Sequence, residues 1–341
     1  MKPVLFITGH LDANRAAGFE RLHARVPIEL ALFGGPHQHA APPSAAPAAV
    51  PHRRIAQRDA GALVAGGAYA AVVVGTGGRV ALPAAWRAAR SRGLPFVFWA
   101  ALWRTPRTAA HLAALPLMRR IYREAAAVVT YGPHVSDYVR AQGATRVHEA
   151  PQAVDNAFWS AAAAPREDER FAALFVGRPA REKGLEVAVS AWRHAGIDGT
   201  FTVAGECGAL PAGIIAAGGV DSPVLRNLYA ASDVLVVPSI ATRRFIEPWG
   251  LVVNEAMNQN TAIIATDAVG AVAGGLVRHG RNGLVVPAGG ERALAGALAE
   301  LAGDRQRCRS LAAAGREDVR PYTHEAWADA FAAALAASVR A

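Results

Sequence analysis

Four charged residues have the types and the spacing to hold an anionic ligand. Glu247 and Glu255 bracket the run Glu247-Pro248-Trp249-Gly250-Leu251-Val252-Val253-Asn254-Glu255-Ala256-Met257. Pro248 suits the first position of a helix, where its missing N–H has no partner to lose. A helix over 249–258 sets the two carboxylates about 10–12 Å apart at 1.5 Å per residue. That is too far for a tight acid/base pair. It suits two ends of one elongated ligand, with the helix N-terminus facing an anion between them. Spacing alone favours the plainer alternative, a surface glutamate and a helical glutamate with no shared task.

The second pair is Arg178 and Lys183, in Gly177-Arg178-Pro179-Ala180-Arg181-Glu182-Lys183-Gly184. The guanidinium fork fits phosphate oxygens and the ammonium is a compact, mobile charge, so together they suit a diphosphate. Only Lys2 and Lys183 are lysines among the chain's 36 basic residues. A lysine at 183, in a chain that otherwise uses arginine, marks a local requirement.

These residues need elements to carry them. Apolar run 171–176 reads as a strand that feeds the loop with Arg178 and Lys183. Run 234–237 feeds a loop through Arg243 and Arg244 to Glu247. Ligands bind beyond the carboxyl ends of strands in an open parallel sheet, which directs both loops to one crevice. Further strands are predicted at 201–204, 262–265 and 284–286, with helices at 185–194, 225–231, 291–302, 306–316 and 324–339. The first half has the same rhythm. Strands at 4–8, 28–33, 71–74, 96–99 and 128–130 alternate with helices ending near 25, 65, 92 and 126. Continuous apolar strands between helices indicate parallel sheets covered on both faces. The fold class is α/β with two Rossmann-like parallel-sheet domains. The alanine-rich and then charged stretch 160–170 sets the boundary, giving domains 1–164 and 165–323.

Bulk properties narrow the function. A chain of 341 residues with 52% hydrophobic and 18% charged residues is globular and long enough for two cores. No apolar run reaches the roughly 18 residues of a membrane span, and the first nine residues are too short for a signal peptide. Cys207 and Cys308 have no metal-type spacing, so a reduced, cytoplasmic setting is expected. Residues 1–164 carry 18 Arg/Lys against 8 Asp/Glu, whereas 165–341 carry 18 against 19. A basic first half beside a near-neutral second half points to an anionic partner for the first half only, or to arginine-rich composition without a role. No nucleic-acid motif is present.

Other features are weaker. Gly75-Thr76-Gly77-Gly78 lacks the G-x-G-x-x-G spacing of a dinucleotide site. His37, His39 and His52 lie in or beside a Pro/Ala-rich loop over 34–51, with no Cys, Asp or Glu to complete a metal site. Residues 108–127 interleave Leu112, Leu115, Leu117 and Met118 with Arg119, Arg120 and Arg123. This is either a sheet-packed helix with solvated arginines or a surface for anionic lipid. Pro116 is expected to kink or split it.

The Gly177-Arg178 to Lys183-Gly184 loop, the E-x7-E stretch from Glu247 to Glu255 and Asn282-Gly283-Leu284-Val285-Val286-Pro287, in this order, closely resemble glycosyltransferase family 4. The agreement is specific over about 171–302, moderate over 125–159 and weak over 9–60. The resemblance implies a retaining, nucleotide-sugar-dependent enzyme of the GT-B fold, with two domains facing a cleft and the last helix, 324–341, crossing back to the N-terminal, acceptor-side domain. It implies that Arg178 and Lys183 bind the donor diphosphate, that Glu247 lies by the transferred sugar, and that Glu255 holds the ribose hydroxyls. Backbone around Trp249, Gly250 and Leu251 would approach sugar and phosphate, with Gly177 at the diphosphate loop. Gly9, ending the first strand, would lie by donor phosphate or acceptor.

The expected donor is a UDP- or GDP-sugar, used as a substrate without a metal or other cofactor. The expected acceptor is a glycan, a lipid-linked or a small molecule, with no nucleic acid involved. A peripheral contact of the basic half with the inner face of an anionic membrane joins this expectation. One departure stands out. Many relatives carry a histidine near the end of the strand over 96–99, and this chain reads Phe98-Trp99-Ala100-Ala101-Leu102-Trp103-Arg104. His10, Trp99 and Arg104 are the acceptor-side candidates, with His111 and His134 as further substitutes for the histidine. The alternatives are another GT-B enzyme, such as a sugar-nucleotide epimerase, and a catalytically silent sugar-nucleotide-binding or membrane-associated scaffold.

Overall fold

A computed structural model describes residues 2–9, 11–34, 49–164 and 168–339. His10, His37 and His39 lie outside the described residues. The chain forms two compact units, Met1–Gln152 with Thr323–Ala341, and Ala153–Tyr322.

The first unit runs β1 (Val4–Thr8), α1 (Ala13–His23), β2 (Ile28–Leu32), β3 (His52–Arg54), α2 (Ala60–Gly66), β4 (Ala71–Gly75) and α3 (Ala81–Ser91). It continues with β5 (Phe96–Ala100), α4 (Ala109–Glu124), β6 (Ala127–Thr130), α5 (Pro133–Ala141) and β7 (Val147–Glu149). The strand order is β3-β2-β1-β4-β5-β6-β7, with every pair parallel. β1, β4 and β5 are buried along their whole length, as apolar strands covered on both faces must be. β3 and β7 fall outside the sequence reading. They are three-residue edge strands, and β3 is exposed throughout. α4 runs through Pro116 as one helix instead of splitting there. The carbonyl that loses its helical donor is that of Leu112, a residue 52% exposed.

The second unit begins with α6 (Asn156–Trp159), β8 (Phe171–Val176), α7 (Leu185–Ala195), β9 (Gly199–Ala204), β10 (Ile214–Gly218), α8 (Ser222–Ala230) and β11 (Val234–Val237). There follow α9 (Val252–Asn258), β12 (Ala262–Thr266), α10 (Gly270–Ala273), β13 (Gly283–Val286), α11 (Glu291–Gly303) and α12 (Arg305–Asp318). Its sheet has the order β10-β9-β8-β11-β12-β13, again all parallel. Its core joins Phe171, Phe175, Trp192 and Phe201 to Leu298 and Leu301 of α11.

The units divide at Gln152/Ala153, ahead of the boundary expected at 164/165. α6 draws the intervening residues into the second unit. Asn156 accepts from Asn258 Nδ2 at 2.9 Å, and Gln259 donates to the carbonyl of Ala161 at 2.9 Å. The final helix, α13 (His324–Val339), belongs to the first unit. It buries Trp327 and Phe331 against Phe6, Phe19 and Trp99, and Arg21 of α1 pairs with Glu325 at 2.6 Å.

Candidate functional site

Both sheets reverse their winding once, between β1 and β4 in the first unit and between β8 and β11 in the second. Helices on opposite sides diverge there, leaving a crevice at the carboxyl ends of the strands. The Arg178–Lys183 loop leaves β8, and the loop to Glu247 leaves β11.

The two loops touch through backbone. Gly184 has φ +71°, and a Cβ on it would lie 2.0 Å from the carbonyl oxygen of Pro238. No other residue type allows this approach. Ile240 N–H donates to the carbonyl of Glu182 at 2.9 Å. Lys183, at the end of a 3-10 turn over Arg181–Lys183, donates through Nζ to Glu247 Oε2. The ammonium-bearing side chain is 21% exposed and the carboxylate-bearing one 9%. Arg178, Arg181, Arg243 and Arg244 are exposed, and none of them forms an ion pair among the described residues. The two loops therefore offer exposed arginines around a fixed lysine.

Glu247 is not helical. It forms a parallel bridge with Val269, and the predicted helix from 249 starts only at Val252, with Leu251 as its N-cap. Gly250 at φ +94° has no place inside a right-handed helix, so the chain turns there before it coils. Pro248 consequently lies in the turn and not at the first helical position. Trp249 is 3% exposed. Its indole N–H donates to Asn254 Oδ1 at 2.8 Å, its carbonyl accepts from Ala271 N–H at 2.8 Å, and its ring faces Tyr322 at 5.7 Å. Gly250 and Leu251 stay partly exposed.

Glu255 lies in α9, partly exposed. Tyr229 Oη donates to its Oε2 at 2.7 Å. Tyr229 is fully buried, and burial, reinforced by the Glu255 charge, pushes its phenol well above the usual value. Sequence reasoning singles out neither Tyr229 nor Ser239. Ser239, just past β11, is 1% exposed, and its hydroxyl has no hydrogen-bond partner among the described residues. One signal for Tyr229 exists, a tyrosine in the helix ahead of β11, but nothing local ties it to Glu255.

In the first unit, Gly9 follows β1, and its carbonyl accepts from Gly34 N–H at 2.6 Å. Trp99 is 4% exposed, packed against Phe19, Tyr131, Trp327 and Phe331. Its side chain is core, under the guanidinium of Arg15 at 5.6 Å. Arg104 is partly exposed in the loop after β5. His111 Nδ1 lies 2.7 Å from Thr108 Oγ1 at the start of α4, and His134 packs on Trp103. Among the described residues, no group of three or more His, Cys, Asp or Glu is arranged to hold a metal ion.

Comparison with known proteins bears on this arrangement. Residues 170–304, which contain all four charged site residues, match the family model of Glycosyl transferases group 1. Solved structures resemble the whole chain. HepE of Anabaena, in complex with UDP and glucose, is 17% identical with a TM-score of 0.76, over 98% of this chain and 100% of its own. The chain has the GT-B fold. Sucrose-phosphate synthase of Thermosynechococcus elongatus shares it at 21% identity and a TM-score of 0.72, over 96% of each chain. So does the α,α-trehalose 6-phosphate synthase of Burkholderia multivorans, at 13% identity and a TM-score of 0.75, over 98% of this chain and 96% of that one. No curated protein sequence matches the chain. The family match and the GT-B fold together support a glycosyltransferase.

Proposed function

We propose that this GT-B protein transfers a hexose from a UDP- or GDP-sugar to a glycan, a lipid-linked or a small-molecule acceptor, with retention of configuration, as in glycosyltransferase family 4. The observation that carries the reading is the union of Lys183 with Glu247 where β8 and β11 part. HepE has been solved with UDP and with UDP-glucose, which favours a uridine donor.

In this mechanism the bond between the anomeric carbon and the diphosphate oxygen breaks, leaving positive charge on the sugar and negative charge on the diphosphate. Arg178 and Lys183 stabilise the leaving group electrostatically, which requires no metal. The acceptor oxygen attacks from the same face, and its proton passes to the departing phosphate oxygen. Glu247, engaged with Lys183, orients the donor sugar rather than attacking it. Backbone at Gly177 and at Trp249, Gly250 and Leu251 lines the donor, and Glu255 holds the ribose. Gly9, Trp99 and Arg104 belong to the acceptor-side unit, where Trp99 acts through packing.

The reading includes a cytoplasmic location and a peripheral contact of the first unit with an anionic membrane. α4 supports the contact, with Leu112 half exposed and Arg119 and Arg123 exposed beyond it. No described helix is long and apolar enough to cross a membrane.

A thermal-shift series against uridine, guanosine and adenosine diphosphate sugars, followed by donor-hydrolysis assays, tests the proposal. Ligand at about 100 times its Kd adds about 2.7 kcal/mol and raises the melting point visibly. The absence of a shift with every donor would end the enzyme reading. A shift without hydrolysis or transfer would favour a silent binding protein, the reading that the missing histidine over 96–104 keeps in view.

A further inference from the structure

A fully buried phenol needs a hydrogen-bond acceptor, and the one chosen by Tyr229 is a residue of the candidate site. Tyr229 is 0% exposed, near the C-terminal end of α8. Three contacts fix it. Its ring meets Trp159 of α6 at 5.8 Å and 70°, and its carbonyl accepts from Thr261 Oγ1 at 2.8 Å. Its hydroxyl donates to Glu255 Oε2 at 2.7 Å. α6, α8 and α9 thus close around a single proton aimed at a carboxylate. Burial holds that proton on the phenol, so the hydroxyl stays a donor through the pH range in which enzymes work.

Glu255 is held from the protein side while its residue stays partly exposed. A glutamate free to rotate must lose rotamers before it can grip a pair of vicinal hydroxyls; one whose carboxylate plane is already set has lost them on folding. We infer that Tyr229 is the positioning residue for Glu255 and, through it, sets the preference for a ribonucleoside diphosphate over the 2′-deoxy form. The inference rests on Glu255 being the ribose-holding carboxylate of the proposed function.

The simpler account is a core tyrosine that satisfies its hydroxyl with any nearby acceptor. Both accounts expect a lower melting temperature in Tyr229→Phe, so stability does not separate them, but nucleotide discrimination does. Calorimetric titration of the wild type, Tyr229→Phe and Glu255→Gln with UDP, GDP and their 2′-deoxy counterparts is the test. The wild type binds its ribonucleotide several-fold more tightly than the deoxy form. Tyr229→Phe loses up to roughly tenfold for the ribonucleotide and little for the deoxy form, as the cost of ordering one carboxylate side chain on binding predicts. In donor hydrolysis its KM rises more than its kcat falls.

A Tyr229→Phe protein that melts lower but keeps the wild-type ribo/deoxy ratio overturns the inference and leaves the proposed function standing. A wild type that binds neither diphosphate overturns both. Ribose preference that survives Glu255→Gln removes Glu255 from the ribose site and Tyr229 with it.

Discussion

Lys183 and Glu247, 64 residues apart in sequence, form an ion pair between two loops that leave neighbouring strands of the second sheet. A glutamate committed to a lysine is a poor nucleophile and a poor general base. It is well suited to hold that lysine where negative charge develops. Lys183→Ala is expected to lower donor turnover by about 10²–10³-fold. It also leaves the buried Glu247 carboxylate without its lysine, at a cost of about 1–3 kcal/mol. Lys183→Ala with Glu247→Gln should regain most of the melting temperature and none of the turnover. Parallel recovery of both would show that the pair serves stability alone.

Gly184 sets the approach of the same two loops. Gly184→Ala adds a Cβ that meets the Pro238 carbonyl oxygen at 2.0 Å, on a backbone of φ +71°. Gly196, at φ +59° with nothing within 4 Å of an added methyl, is the matched control. Gly196→Ala should cost about 1–2 kcal/mol from left-handed strain alone. Gly184→Ala should cost more and should also weaken nucleotide binding, because the collision displaces Lys183. Urea denaturation and nucleotide titration of the two variants read this directly, and equal losses would remove the close approach from the account.

Asp318 ties α12 to the turn before β13. It accepts from Arg281 at 2.8 and 3.0 Å and from Asn282 at 2.9 Å, and Arg278 pairs with it at 2.7 Å. Arg281 first, then Arg278 and Asn282, hold its carboxyl down at about 2, against an ordinary 3.8. A carboxyl depressed in the folded state adds stability that is fully present above its unfolded pKa and disappears as pH falls through the folded one. The contribution is therefore constant above about pH 4 and is lost between there and about pH 2. Asp318→Asn should lower stability at neutral pH and flatten the acid limb of an unfolding profile between those values. A limb as steep as that of the wild type would count against the clasp.

The exposed part of α4 makes a prediction about membranes. Leu112 is 52% exposed, and none of the residues 109–120 is buried. Flotation with phosphatidylglycerol vesicles should recover the protein at low salt and release it near 0.5 M, where the Debye length falls to roughly 4–5 Å. Phosphatidylcholine vesicles should recover little. Arg119→Glu with Arg123→Glu should abolish recovery without changing nucleotide binding. Recovery indifferent to salt or to these substitutions would leave the basic first half without this role.

Much of the frame was legible in the residues. β1, β4, β8, β11 and β12 are apolar runs, with a threonine at the end of β1 and of β12, because both faces of each are covered, and such runs are visible in sequence. β3 and β7 were not legible. An edge strand pairs on one side only, so His52–Arg54 can be entirely polar and still join a sheet. The start of α9 departs from the local expectation for a related reason. Pro248 is a fair opening for a helix by local rules, but Gly250 at φ +94° and the bridge from Glu247 to Val269 hold the chain in a turn until Val252.

For the candidate site, the sequence determined which residues carry charge, in what order, and that Arg178, Lys183 and Glu247 follow strands at whose carboxyl ends open parallel sheets place their ligands. It did so because strand ends are local events marked by glycine and proline. Only the tertiary structure decided that Lys183 meets Glu247, that Tyr229 holds Glu255, and that Trp99 is spent on packing. Those pairings depend on strand order and on backbone approaches such as Gly184 to Pro238, which are set by sheet winding and carry no signature in the spacing of residues along the chain.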